Sequence, residues 1–308
     1  MYKMTAILAG VIVTILWSSS YILNEWAFDE GIGPLTLAGT RYVVASFMLM
    51  MVMKGIGLFQ TKDTRPYSPL KWRYILIIGL TGFTMAQGLQ YAGQFFMNPT
   101  QTSLLLSIGN TCMVLLVDFL WLKESKNRTS IYALIGLTIG VLFYFYPWNF
   151  QEAGLIGIIF VLFSSVGYAL NLTINRHFIS QKEVRTEDLI IRPMFIGSIG
   201  LLGLGVTIEG LPSFSTNLLL IILWLGAVNG GLAFYLWTWS QKYLKAFESS
   251  LLNNLMLIEI ALMDMMLLHR QLTVSQITGV LLIAVMIAYV QIGPNLKKYK
   301  AKTPTINR

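Results

Sequence analysis

Long apolar runs alternate with short polar breaks from one end of the chain to the other. The runs fall at roughly 4–25, 33–53, 72–92, 99–121, 129–147, 154–175, 189–208, 216–240, 247–268 and 273–292. About 20 apolar residues in a helix cross a ~30 Å hydrocarbon core, and each run reaches that length. In lipid the backbone must satisfy its own hydrogen bonds, which favours helices, and the strict alternation of barrel strands is absent. The pattern predicts an all-α integral membrane protein of ten transmembrane helices. The first run, Met4 to Leu23, is longer than the apolar core of a leader peptide and is expected to be retained.

The runs also repeat. Leu16-Trp17-Ser18-Ser19 matches Leu162-Phe163-Ser164-Ser165 at an offset of 146 residues. Tyr91 meets Trp237, Ser103 meets Ser249 and Asp118 meets Asp264 at the same offset, while Arg41 and Arg192 correspond at 151. One register across helices 1/6, 3/8 and 4/9 indicates a duplicated five-helix unit. Five crossings is an odd number, so the second copy is inverted in the membrane. Inverted repeats mark secondary transporters, with the substrate site at the repeat interface. The expected organisation is a first repeat over 1–148, an inverted second repeat over 149–293, and a basic cytoplasmic tail over 294–308.

Charge orients the helices. Of 308 residues 55% are apolar and only 12% charged, about half the charge of a soluble domain, so lipid is the solvent. The net charge is +8, which alone fits either nucleic-acid binding or cytoplasmic anchoring. With the N-terminus inside, 20 of the 22 Lys and Arg fall on inner segments, as the positive-inside rule requires. Positive residues spread over every inner loop argue against a nucleic-acid partner. Both termini are expected in the cytoplasm, the location a plasma (cell) membrane, and the assembly a monomer or a homodimer. Cys112 is the single cysteine, and His177 and His269 stand far apart, so no disulfide, metal site or cofactor is implied.

The chain resembles the EamA family of the drug/metabolite transporter superfamily over residues 4–292. The resemblance rests on Trp17-Ser18-Ser19, on Pro34 and Arg41, on the stretch from Tyr91 to Leu122-Lys123-Glu124, on Tyr235-Leu236-Trp237, and on Leu267 to Thr273 followed by Gly279. It departs at Thr111 and Leu257, near places where the family carries prolines, and at Arg270, where an acid is expected. The resemblance implies a carrier of amino acids, other metabolites or drugs.

Polar residues form stripes on the expected helices. Thr14, Ser18, Tyr21 and Glu25 share a face of helix 1, Gln87, Gln90, Tyr91 and Gln94 of helix 3, Ser103, Ser107, Asn110 and Asp118 of helix 4, and Ser164, Tyr168, Asn171 and Asn175 of helix 6. Such a face must turn to protein or to a watery cavity. Two readings stand side by side: a shared polar cavity, or hydrogen bonds that only bind helix to helix. The pairs Gly136/Gly140 and Gly226/Gly230 read as close-packing surfaces. Trp26 and Trp148 fit an interfacial belt as well as any site.

Arg41 and Glu259 lie deep in helices 2 and 9, and are expected to face the cavity or each other. A buried carboxyl is pushed towards its neutral form, and a neighbouring guanidinium pushes it back. Glu259 is thus a candidate for proton coupling, or else one arm of a zwitterion clamp with Arg41; a static ion pair is the plainer alternative. Asp118 and Asp264 are expected near opposite membrane faces, within reach of water. The candidate substrate site comprises Trp17, Ser18, Tyr21, Arg41, Gln87, Tyr91, Ser107, Asn110, Tyr168, Asn171, Trp237 and Glu259.

No phosphate-binding loop of the Walker type is present, and no loop can hold a catalytic domain. The expected function is a secondary transporter that exports small polar or amphipathic metabolites by alternating access. An integral membrane enzyme acting on lipid-linked substrates is the alternative, which two scattered histidines support poorly.

Overall fold

The computed structural model describes residues 2–57, 69–117, 128–147, 152–181, 186–240, 243–244 and 246–286. The expected features at Asp118, Leu122-Lys123-Glu124, Trp148 and the tail 294–308 lie outside them, as do the side chains of Tyr2 and Ser249.

Each expected span is a helix. They are α1 (Tyr2–Asp29), α2 (Pro34–Gly57), α3 (Trp72–Phe96), α4 (Pro99–Val117), α5 (Arg128–Tyr144), α6 (Glu152–Gln181), α7 (Thr186–Glu209), α8 (216–240), α9 (Ala246–Leu267) and α10 (Val274–Met286). Among the described residues, α1, α2, α3, α6, α7 and α8 are long and apolar enough to cross a membrane unaided by further argument, and α10 is a shorter apolar helix.

The helices of the two five-helix repeats pack mostly against those of the other repeat. α1 packs on α8 and α9, and its counterpart α6 packs on α3 and α4. α2 packs on α8, and its counterpart α7 on α3. The pairs α2–α7 and α4–α9 then pack across the interface between repeats. Each of these contacts between the halves has its image when the repeats are exchanged, as two copies related by a twofold axis require.

Glycines make these crossings close. A methyl on Gly226 would sit 2.5 Å from Val44 Cβ and 3.0 Å from the Arg41 carbonyl. One on Gly279 would sit 2.7 Å from the Gly140 carbonyl. Gly79 of α3 lies against Pro193 and Gly197 of α7 in the same way. Small residues at helix crossings replace the hydrophobic drive that lipid removes.

Both α3 and α8 widen at mid-span into π-helical turns, Leu80–Gly88 and Trp224–Leu232. A π-turn displaces the backbone ladder and leaves carbonyls without their usual partner. Side chains from the adjoining helix take them up in both halves. Trp17 Nε1 donates to the Asn229 carbonyl at 3.0 Å, and Ser164 Oγ donates to the Ala86 carbonyl at 2.5 Å. The glycines at 79, 82, 226, 230 and 231 mark both segments in the sequence, though only Gly226 and Gly230 had been singled out, as a packing surface.

The ends of the helices are pinned across the repeats. Gly31, with φ of +85°, ends α1 in the left-handed conformation that glycine alone enters freely. Pro34 then opens α2 where a missing N–H costs nothing. Glu209, the last residue of α7, accepts from Leu35 N, Thr36 N and Thr36 Oγ1 at 2.9, 2.9 and 2.7 Å. Its charge sits at the positive end of α2, where the helix dipole favours an anion.

Candidate functional site

The two repeats enclose a cavity of about 900 Å³, within the range of small-molecule sites. α1 supplies Trp17, Ser20, Tyr21 and Asn24; α2 supplies Arg41 and Tyr42; α3 supplies Gly82, Phe83, Ala86, Gln87 and Gln90; α4 supplies Ser103, Leu106, Ser107 and Asn110. The second repeat adds Tyr168, Asn171 and Leu172 from α6, Phe234 and Trp237 from α8, Met256, Leu257 and Ile260 from α9, and Leu244 from the α8–α9 connection.

The charged centre of this space is Arg41, which is only 5% exposed. Its Nη1 donates to the Tyr91 hydroxyl, and its Nη2 to Ser20 Oγ at 3.1 Å. The guanidinium carbon stands 5.2 Å from the Tyr42 ring centre and 5.8 Å from that of Tyr91, within cation–π range. Arg41 Nε has no partner. Around it, Tyr42 donates to Gln87 Oε1 at 2.6 Å, and Gln90 Nε2 donates to the Tyr21 hydroxyl at 3.0 Å. The lining also holds an aromatic wall in which Trp17 meets Phe234 and Trp237 in tilted contacts, with ring centres 5.4 and 5.3 Å apart.

Nine of the twelve candidate residues line this cavity: Trp17, Tyr21, Arg41, Gln87, Ser107, Asn110, Tyr168, Asn171 and Trp237. Ser18, Tyr91 and Glu259 do not. Tyr91 is buried behind the lining, where it receives the Arg41 hydrogen bond. Glu259 accepts from Thr14 Oγ1 at 3.0 Å and Ser18 Oγ at 2.8 Å. Half of the helix 1 stripe therefore serves α9 rather than the cavity. The expectation that Arg41 and Glu259 would pair, or would both face the cavity, gives way. Each is held by hydroxyls of α1, on Ser20 for the base and on Thr14 and Ser18 for the acid, so the zwitterion clamp lacks its second arm. Ser20, Asn24 and Tyr42 had not been singled out. Ser20 and Asn24 are a helical turn apart, and that spacing is the signal that could have found them.

Asp264 is a second correction: it is fully buried rather than in reach of water. It accepts from Thr100 Oγ1 at 2.6 Å and from Arg270 at 3.4 Å. Arg270 also bridges to Glu25 at 2.9 Å. Gln94 joins the network, donating to Glu25 at 3.2 Å and to the Tyr21 carbonyl at 2.6 Å while accepting from Asn24 at 2.9 Å. These bonds tie together α1, α3, α4, α9 and the α9–α10 connection at one end of the cavity.

The family model of EamA-like transporters matches this chain twice, over residues 4–146 and 155–291. The uncharacterized transporters YoaV and YvbV of Bacillus subtilis (strain 168) are 22% and 26% identical to it. They match over 91% and 96% of this chain and 94% of their own lengths. An uncharacterized transporter in the trpA 3′ region of Buchnera aphidicola subsp. Schlechtendalia chinensis is 24% identical over 80% of each chain. A solved crystal structure at 16% identity superposes with a TM-score of 0.66, covering 97% of this chain and 99% of that one, a likeness of fold.

Proposed function

The chain belongs to the EamA-like transporter family, and from that premise we propose that it exports small polar or amphipathic metabolites by alternating access through the cavity between its repeats. It is a multi-pass membrane transporter rather than an enzyme. The observation that carries the proposal is the cavity itself: a space sized for a metabolite, walled by both repeats, with a buried base, amides and an aromatic face.

We place the repeat boundary near residue 148, both termini in the cytoplasm and the protein in the plasma membrane, on the Lys and Arg distribution. In that orientation the Glu25–Arg270–Asp264 network lies at the outer end of the cavity. Glu259 is the coupling residue of this reading. It lies outside the substrate cavity, on α9 against α1, where taking up a proton would loosen its hold on Thr14 and Ser18.

A thermal-shift screen with amino acids, amines, sugars and organic acids, followed by flux of the hits in proteoliposomes, tests the function. Flux above empty liposomes that depends on the reconstituted chain supports it; no flux for any stabilising compound overturns it. Cysteines introduced at 63 and 300 should label only from inside, and at 30 and 210 only from outside.

A further inference from the structure

Arg41 is a buried charge with no counter-ion among the described residues. Both of its hydrogen-bond partners, Tyr91 and Ser20, are neutral hydroxyls, and its Nε has none. A base in the membrane interior is costly, at least ~2.5 kcal/mol on insertion scales, unless an anion meets it. The acids of the surrounding helices are engaged elsewhere: Glu25 by Arg270 and Gln94, Asp264 by Arg270 and Thr100, and Glu259 by Thr14 and Ser18. No Asp or Glu stands among the residues that line the cavity. Among the described residues the site therefore presents one positive charge and no acid to receive a substrate cation. Two buried acceptors, Asn24 Oδ1 and Asn110 Oδ1, also lack partners, and the Trp17–Phe234–Trp237 wall offers a face for a flat apolar body.

We propose that this cavity selects organic monoanions, carboxylates with an aromatic or other apolar body, over their neutral, zwitterionic and cationic analogues. The inference rests on the reading of the cavity as the transport site. The carboxylate completes the coordination of Arg41 and removes the cost of its isolation, because charge-assisted hydrogen bonds to a guanidinium are about twice as strong as neutral ones. The body lies against the aromatic wall. A zwitterion pays to desolvate an ammonium that finds only amide oxygens. A cation gains from the rings but meets the field of Arg41 directly.

Four probes that share one ring decide the matter: phenylacetate, phenylacetamide, phenylalanine and phenethylamine. Their binding to the purified full chain is measured by isothermal titration calorimetry at neutral pH, and their counterflow in proteoliposomes. We expect phenylacetate to bind at least about tenfold tighter than each of the other three. Arg41→Gln should collapse the four to within about twofold, and Arg41→Lys should keep part of the preference. Arg192→Gln, at the exposed counterpart of Arg41, should leave the ranking unchanged. The ranking in the unmodified protein needs no variant, so a misfolded Arg41→Gln does not shield the proposal. Tighter or equal binding of the amide or the amine overturns it, as does failure of all four to bind. The expected ranking in binding without counterflow of any probe would instead reject the transport reading and leave an anion-binding site.

Discussion

The two repeats share a scaffold and divide the chemistry unequally. At one offset, residues of the first half that line the cavity or bound it are polar where their counterparts are apolar: Ser20 against Val166, Asn24 against Leu170, Gln87 against Ala233, Gln90 against Leu236, Asn110 against Met256. The aromatic wall leans the other way, with Phe234 and Trp237 from the second half facing Trp17. The same crossings and the same π-turns recur in both. Symmetry is thus required by packing, since each helix must find a partner in lipid, whereas recognition requires the symmetry to be broken. A site with identical walls has no preferred way round for an asymmetric solute.

Arg41 and Arg192 give the sharpest form of this contrast. Arg41 is buried within the cavity; the side chain of Arg192 is 57% exposed and meets only Asp188, one turn away, at 3.6 Å. Removing one partner of a buried charged contact costs a few kcal/mol, or about 30-fold and more, while an exposed pair contributes next to nothing. Arg41→Gln should therefore lower substrate flux about 30-fold or more, and Arg192→Gln by less than about twofold. Proteoliposome flux normalised to inserted protein reads both. Equal losses would mean that the scaffold, not the site, had been damaged.

Glu259 breaks the symmetry in the opposite sense, since its counterpart is Met113. Glu259→Gln keeps the hydrogen-bonding shape but cannot release a proton. It should abolish accumulation driven by a proton gradient, about tenfold or more, while substrate exchange persists, and Met113→Gln should do neither. Exchange lost together with accumulation would place Glu259 in substrate binding and reject its coupling role.

The ten helices were legible because lipid selects for an unbroken apolar run, which no tertiary contact needs to supply. The repeat was legible for the same reason, through Leu16 to Ser19 and Leu162 to Ser165. Of the stripe on helix 4, Ser103, Ser107 and Asn110 line the cavity, and Asp118 lies outside the described residues. The stripe on helix 1 did not hold as a unit. A helical wheel shows that Thr14 and Ser18 share a face but not which neighbour that face meets, and the neighbour is α9 with its Glu259. On α3 the wheel assumes 100° per residue, and the π-turns of Leu80–Gly88 disturb that angle at Gln87 and just before Tyr91. Arg41 was visible as a charge in lipid; its tyrosines were not, because Tyr91 arrives from another helix.

The shared scaffold makes its own prediction. Gly79 and Gly226 occupy matching crossings, α3 on α7 and α8 on α2. An alanine methyl there would lie 2.9 Å from the Pro193 carbonyl in one case and 2.5 Å from Val44 Cβ in the other. Overpacking costs about 1–3 kcal/mol, more than the ~1 kcal/mol that alanine gains over glycine in a helix. Each substitution should lower the melting temperature of the purified protein by similar amounts, a few degrees. Gly200→Ala, with open space around it, should raise it slightly or leave it alone. A large loss at one crossing only would show that the repeats differ in packing as well as in chemistry.

The smallest effect is expected where the two ends of the cavity differ. Glu25, Asp264 and Arg270 join at one end around a base. At the repeat offset their counterparts are Asn171, Asp118 and Glu124, a set with no base. Two acids held by an arginine form a latch at the Glu25 end. The asymmetry biases the protein towards the conformation closed at the Glu25 end. Arg270 is partly exposed, with 38% of its side chain open, so the bias is worth about 1 kcal/mol rather than several, and a shift of that size changes the population of the alternate state about fivefold. Arg270→Gln should therefore speed labelling of a cysteine at Leu106, in the cavity wall, by a membrane-impermeant maleimide added from outside, about fivefold in a Cys112→Ser background. Glu25→Gln should do so less, because Asp264 still holds the arginine. An unchanged labelling rate in Arg270→Gln would show that the ion pairs follow closure rather than favour it.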